Sequence, residues 1–249
     1  AQKTAKHVSL DLIYARPEQT LTAWKNELSE ALAFQTNHLS LYQLTFEPST
    51  AFATALKNGT IQAIDSDIAA DLFLATIEQM HMHGFDAYEL SNFAKPNFES
   101  RHNLNYWLGY EYLGVGPGAQ SRLNKIPHQN PPPSKAPAND HLRDVYIRPR
   151  LPEKWLLDVE AKKQWEVHET LDAATIAKEI VMLGLRLKKG VQANRLKALS
   201  GLNFDQVFDF KILSLLQHHG WLSQSRNNIA LNVEGWLRLN PILQTSMIL

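Results

Sequence analysis

Val8-Ser9-Leu10-Asp11-Leu12-Ile13-Tyr14, followed by Ala15-Arg16-Pro17-Glu18-Gln19-Thr20, is the stretch that decides the fold. Val8, Leu10, Leu12 and Tyr14 take alternate positions, and Ser9, Asp11 and Ile13 take the others. A period of two marks a β-strand whose faces meet different surroundings. Here one face is apolar and the other carries a carboxylate at its centre. A barrel strand has this pattern when one face meets helices and the other the lumen. Pro17 ends the strand, because it has no N–H for a ladder. Thr20 suits an N-cap, and Leu21, Trp24, Leu28 and Leu32 then recur at helical spacing. His38 to Phe46 predicts a second strand, with Leu41, Gln43 and Thr45 on one face. Strand, helix and strand in this order predict a parallel βαβ unit.

Further on, Asp65 and Ser66 can cap a long helix whose apolar stripe is Ile68, Leu72, Phe73, Ile77 and Met80, with Gly84 as its stop. Phe85 to Leu90 reads as a third strand, Glu99 to Gly109 as a short helix, and Tyr112 to Gly118 as a strand entering a glycine turn. Five prolines crowd residues 124–144, a stretch without periodicity that reads as a linker. Beyond it, helices are predicted at 151–160, from Asp172 along Ile176, Ile180, Leu183 and Leu187, at 194–200 and at 204–219. Short strands at 221–223 and 228–231 flank Ser225-Arg226-Asn227. Two helices and a hairpin make a winged-helix pattern.

The 249 residues suit one large or two small domains, and 25 basic against 25 acidic side chains argue against a general nucleic-acid or anionic-membrane surface. No apolar run approaches the roughly 18 residues that cross a bilayer, and no charged-then-apolar signal segment opens the chain. The absence of cysteine excludes disulfides and suits a reducing, cytoplasmic setting.

Arg101-His102-Asn103-Leu104-Asn105-Tyr106-Trp107 places an imidazole, a phenol and an indole within six residues. On a helix His102 and Tyr106 share one face, with Asn103 and Trp107 beside it. Such a face suits a large flat cofactor, but aromatic residues equally fill cores. Gly114-x-Gly116-Pro117-Gly118 is a phosphate cradle or a tight turn, and Pro117 favours the turn. His81, His83, His218 and His219 lack the spacing of a chelate and read as helix-end histidines. Asp205 and Asp209 against Lys211 argue against phosphate contacts from the 204–219 helix.

Three segments together resemble the haem-chaperone branch of the radical SAM coproporphyrinogen oxidase family. Asp11-Leu-Ile-Tyr-Ala-Arg-Pro-Glu-Gln-Thr20 is similar to its D-L-I-Y-G-L-P-x-Q-T, and His38-Leu-Ser-Leu-Tyr-Gln-Leu-Thr-Phe-Glu-Pro48 to its H-L-S-x-Y-Q-L-T-x-E-P. The third runs from Tyr88-Glu-Leu-Ser-Asn-Phe93 through His102-Asn-x-x-Tyr-Trp107 to Tyr112-Leu-Gly-Val-Gly-Pro-Gly-Ala119. The departures are as definite. Ala15 stands where the family has Gly, Arg16 where it has Leu, Ser100 where it often has Cys and Gln120 where it usually has His. The family's cluster-binding C-x-x-x-C-x-x-C loop has no counterpart in a chain without cysteine.

The resemblance implies an α/β fold: the C-terminal part of a partial (β/α) radical SAM barrel over 1–124, a linker over 125–150 and a small winged-helix-like α+β domain over 151–249. It implies a C-terminal portion of a haem chaperone that binds haem and passes it to acceptors such as respiratory oxidases, with a homodimer as a further partner. It places Asp11, Ile13 and Thr45 near S-adenosylmethionine, and His102, Tyr106 and Trp107 at haem, with His102 as the iron ligand. The [4Fe–4S] cluster and S-adenosylmethionine are expected only of a full-length protein, so whether this chain is an enzyme stays open. The alternatives are an oxygen-independent coproporphyrinogen III oxidase and a decayed fragment without cofactor. The Tyr42-Gln43-Leu44-Thr45 sequence resembles the chaperone branch more than the oxidase branch.

Overall fold

The structure is a computed structural model that describes residues 3–5, 7–124, 142–163 and 167–249. The chain forms two compact units, Ala1–Arg101 and His102–Leu249. Most of the expected linker, residues 125–141, lies outside the described residues.

The first unit contains β1 (Ser9–Tyr14), α1 (Leu21–Ala33), β2 (His38–Gln43), α2 (Ala51–Lys57), α3 (Ser66–Met82), β3 (Asp86–Glu89) and β4 (Asn92–Ala94). β1 and β2 pair in parallel with Asp11 opposite Ser40 and Ile13 opposite Tyr42, so the βαβ expectation holds. The sheet order is β1-β2-β4-β3. β4 was not anticipated: it pairs antiparallel with both β2 and β3 and separates them. It is only three residues long, too short for a periodicity to register. β2 ends at Gln43, which leaves Thr45 in the loop beyond the strand instead of on its face.

Thr20 caps α1 by accepting from the Ala23 N–H at 3.1 Å, and Asp65 caps α3 by accepting from Asp67 and Ile68. α1 and α3 pack on each other around Trp24, Leu28, Leu72 and Met80, all fully buried. Burial of each such side chain stabilises by about 2 kcal/mol. The Trp24 indole N–H donates to Thr76 Oγ1 at 2.8 Å inside this interface. The expected stripe of α3 holds at Leu72, Phe73 and Met80 and widens to Ala69, Ala75, Thr76 and Gln79, while Ile68 is 45 % exposed. Gln79 faces inward because its amide donates to Ser29 Oγ at 2.9 Å and to the Lys25 carbonyl.

The second unit begins within α4 (Arg101–Trp107). It continues with β5 (Gln120–Asn124), β6 (Arg143–Ile147), α5 (Pro152–Glu160), β7 (Val167–Leu171), α6 (Ala173–Gly184), β8 (Val191–Gln192), α7 (Ala193–Ser200), α8 (Phe204–Val207), α9 (Phe210–His218), β9 (Leu222–Ser225), β10 (Asn228–Leu231), α10 (Val233–Trp236) and α11 (Leu239–Ser246). β5, β6 and β7 form an antiparallel sheet, and β8, β10 and β9 form another. The first of these sheets was not foreseen. β6 lies inside the interval read as linker, and only its Val145 is a deeply buried apolar residue. The first four residues of β7 are exposed, which gives no alternation. The expected strand over 112–118 is reduced to a single bridge between Tyr112 and Arg122.

The helix expected over 204–219 is two. Phe208 is extended and bridges Met247, and Asp209 then starts α9 by accepting from the Lys211 N–H at 2.8 Å. Apolar spacing continues through the break and conceals it. Ile176, Ala177, Ile180, Val181, Leu185, Leu196, Leu213 and Trp236 supply the unit's core. Gly190 is obligatory here. It has φ +68°, and a Cβ on it would lie 2.1 Å from the Ile229 carbonyl oxygen. Among the described residues no helix is long and apolar enough to cross a membrane.

Candidate functional sites

In the first unit the exposed face of β1 presents Ser9, Asp11 and Ile13, as the alternation requires. Ile13 is 47 % exposed, unusual for its type. Tyr14 faces the other way, buried and stacked on Trp24 at 5.4 Å, and burial pushes its phenol well above the usual range. The turn after β1 contains two residues in the left-handed region, Ala15 at φ +57° and Glu18 at φ +61°. Arg16 anchors it. The guanidinium donates to the Ile13 carbonyl at 2.8 Å and pairs with Glu27 of α1 at 2.5 Å. Gln19, 8 % exposed, accepts from the Arg16 N–H. Arg16 therefore ties the strand end to α1, a role that a leucine cannot take.

Asp11 and Ile13 share a face of β1, whereas Thr45 is exposed in the loop and its hydroxyl donates to Glu47 Oε1 at 3.2 Å. Two neighbours of Asp11 were missed. Ser9 lies 2.7 Å through Oγ from His38 Nδ1, and His38 Nε2 lies 2.9 Å from the Tyr88 hydroxyl. His38 is 8 % exposed. Burial holds its imidazole below the usual histidine range, opposed by the negative charges of Asp11 and Glu99. Ser9 was legible as the residue two before Asp11. His38 becomes legible only once the register sets it opposite Ser9.

In the second unit His102 is exposed and meets Tyr106 edge to face, with ring centroids 4.9 Å apart. Tyr106 in turn meets Tyr112 at 4.6 Å. Burial, the largest influence, raises the Tyr112 phenol above its ordinary value. The residues after α4 are held by arginines from distant parts of the same unit. The Arg186 guanidinium lies 4.5 Å over the Trp107 ring, and that of Arg195 lies 4.1 Å over Tyr110. Arg195 Nε also donates to the Leu108 carbonyl, and Arg143 Nη2 donates to the Gly109 carbonyl at 2.5 Å. Arg143 is 2 % exposed. The Trp107 indole N–H is buried and has no hydrogen-bond partner among the described residues. One face of Trp107 is thus covered by Arg186, while His102 remains open to solvent.

The glycine segment is a tight turn. A Cβ on Gly114 would lie 2.1 Å from the Gln120 carbonyl oxygen. The Gly114 N–H donates to Ser121 Oγ and that of Gly118 to the Pro149 carbonyl, so neither is directed at a phosphate. His83 Nδ1 lies 2.8 Å from the Gln79 carbonyl, and His219 stacks on Trp221 at 4.9 Å. A cleft of about 650 Å³ lies in the second unit, lined by Phe204, Asp205, Phe210, Gln217, Gln224 and Arg226 among others. None of the residues singled out for haem or nucleoside lines it.

Comparison with known proteins bears out the resemblance read from the three segments. Residues 171–238 match the family described as HemN C-terminal domain. The chain is 33 % identical over 255 residues to the mitochondrial radical S-adenosyl methionine domain-containing protein 1 of Dictyostelium discoideum, covering 95 % of this chain and 56 % of that one. It is 30 % identical over 237 residues to the haem chaperone HemW of Bacillus subtilis, covering 95 % and 58 %. It spans about half the length of the curated relatives it matches. The structure of the Escherichia coli coproporphyrinogen III oxidase HemN, a radical SAM enzyme, superposes with a TM-score of 0.68 at 16 % identity, over 96 % of this chain and 54 % of that one. At that identity the match establishes a shared mixed α/β fold.

Proposed function

Because this chain is a homologue of the HemW haem chaperones and the related radical SAM domain proteins, we propose that it is part of a haem chaperone that binds haem at α4 and hands it to haem-dependent acceptors such as respiratory oxidases. The observation that carries the reading is the open His102 imidazole at the head of the His102–Tyr106–Tyr112 ring series. A neutral imidazole is a common axial ligand to haem iron. Aromatic edges and faces are suitable surfaces for a porphyrin. Tyr106 supplies such a ring beside the ligand, and Trp107 its surface away from Arg186. The arginines fix the backbone at the end of the helix, so the imidazole is presented from a rigid support.

On the first unit, Asp11 offers an oxygen acceptor to a ribose or amine, and the exposed Ile13 offers apolar contact to a nucleoside. Thr45 lies in the adjoining loop as a further polar contact. These residues suit S-adenosylmethionine, which supplies a reducible sulfonium when bound. The [4Fe–4S] cluster requires thiolates, and a chain without cysteine does not fit it, so no residue here is assigned to it. We read residues 151–249 as a winged-helix-like domain, with α7 and α9 as its helices and β9–β10 as its wing, and the setting as cytoplasmic.

Titration of ferric haem into the protein and its His102→Ala variant tests the reading. A saturable Soret band that shifts and weakens at least tenfold in apparent affinity on substitution is expected. Identical spectra and affinities for the two proteins would remove His102 from the haem site.

A further inference from the structure

The polar face of the first sheet carries a connected series that runs from Tyr88 through His38 and Ser9 to Asp11, and no role above uses the first three. Tyr88 lies 2.9 Å from His38 Nε2, and His38 Nδ1 lies 2.7 Å from Ser9 Oγ. Ser9 Oγ donates to Asp11 Oδ1 across a long 3.5 Å. The series has a fixed direction. A carboxylate only accepts, so the Ser9 proton points at Asp11. The Ser9 oxygen is then left to accept from the ring, which puts a proton on His38 Nδ1. His38 Nε2 in turn is the acceptor, and the Tyr88 hydroxyl donates to it. Asp11 Oδ2 takes no hydrogen bond from a described residue.

We propose that His38 is a positioning residue for Asp11: acting through Ser9, it orients one carboxylate oxygen and leaves the other directed at the vicinal hydroxyls of a bound nucleoside. The proposal rests on the reading of Asp11 as a nucleoside contact. A hydroxyl held from behind presents its proton in one direction, so the carboxylate beyond it is pre-oriented before a ligand arrives. His38 is suited to this. It is nearly enclosed, bonded at both ring nitrogens, and set opposite Ser9 by the parallel register of β1 and β2.

The test has two arms. Nitrogen-15 NMR of the histidine rings at pH 7.5 reads the tautomer, with His38→Asn identifying the signal. The Nδ1–H form is expected for His38. An Nε2–H form overturns the proposal, whatever is bound. Calorimetric titration with S-adenosylhomocysteine reads the consequence. Ser9→Ala and His38→Leu are each expected to weaken binding about fivefold. His38→Asn should restore affinity, because its amide N–H takes the place of Nδ1–H. In an Asp11→Ala background, which removes the oxygen that Ser9 holds, Ser9→Ala should have no further effect, and a full fivefold loss there overturns the proposal, since a merely structural serine would act independently of Asp11. Wild-type protein that does not bind S-adenosylhomocysteine overturns the nucleoside reading and this proposal with it. Binding that is intact but indifferent to Ser9 and His38 overturns this proposal alone.

Discussion

The exposed face of β1 and the helix α4 both carry candidate ligands, but they are built by opposite means. Around Asp11 the partners come from strands of one sheet, and short hydrogen bonds pass from β1 to its neighbour β2 and from β2 across β4 to β3. Around His102 the ligand stands at the start of a seven-residue helix with no buried residue. Its support comes from Arg143, Arg186 and Arg195, spread over more than fifty positions and directed at carbonyls and ring faces just after the helix. A sheet positions a side chain by register, and a short helix has to be held in place from outside.

By that contrast, substitution at the clamp is costly and substitution on the sheet face is mild. The largest effect is expected for Arg143→Ala. A 2 % exposed guanidinium that satisfies the Gly109 carbonyl is removed, and about 3 kcal/mol of stability goes with it in urea unfolding. A loss below about 1 kcal/mol would show that the clamp does not hold the helix. Ala15→Gly sharpens the other side. Ala15 has φ +57° in the turn after β1, where an alanine is strained and a glycine is not. The substitution is expected to add about 1 kcal/mol, read as a raised Tm, without change at Asp11. Unchanged or lower stability would mean that the turn is not strained.

The smallest effect concerns pH. The folded-state pKa of His38 is lowered from its ordinary 6.5, chiefly by burial, so the unfolded chain binds more protons in the window just below that value. Stability from this group is complete above about pH 6.5, falls as the pH drops through it, and levels once the folded ring itself protonates. His38→Asn should flatten that decline in urea unfolding between pH 7 and 5. An unchanged slope would assign the decline to other groups.

These contrasts also mark how far the sequence could be read. The alternation from Val8 to Tyr14, the Thr20 cap and the parallel pairing of β1 with β2 were legible because each is set by neighbours in the chain. The placement of Asp11 and Ile13 on one face followed from the same alternation. Thr45 did not, because β2 stops at Gln43 and the spacing of Leu41, Gln43 and Thr45 continues past the end of the ladder. β6 was lost in a proline-rich neighbourhood, and the break at Phe208 is made by Met247, almost forty residues on. The arginine clamp left no local trace. Arg143, Arg186 and Arg195 are far apart in the sequence, the last two close to Lys188 and Lys197, and their common target appears only when the chain is folded.

The most direct test of the central claim, that the His102 imidazole ligates haem iron, is chemical rescue. Ferric haem bound to His102→Gly should show a Soret band unlike that of the wild type, and free imidazole at millimolar concentration should restore the wild-type spectrum. If imidazole leaves the variant's spectrum unchanged while the wild-type band persists, the iron is held elsewhere and the account of α4 is wrong.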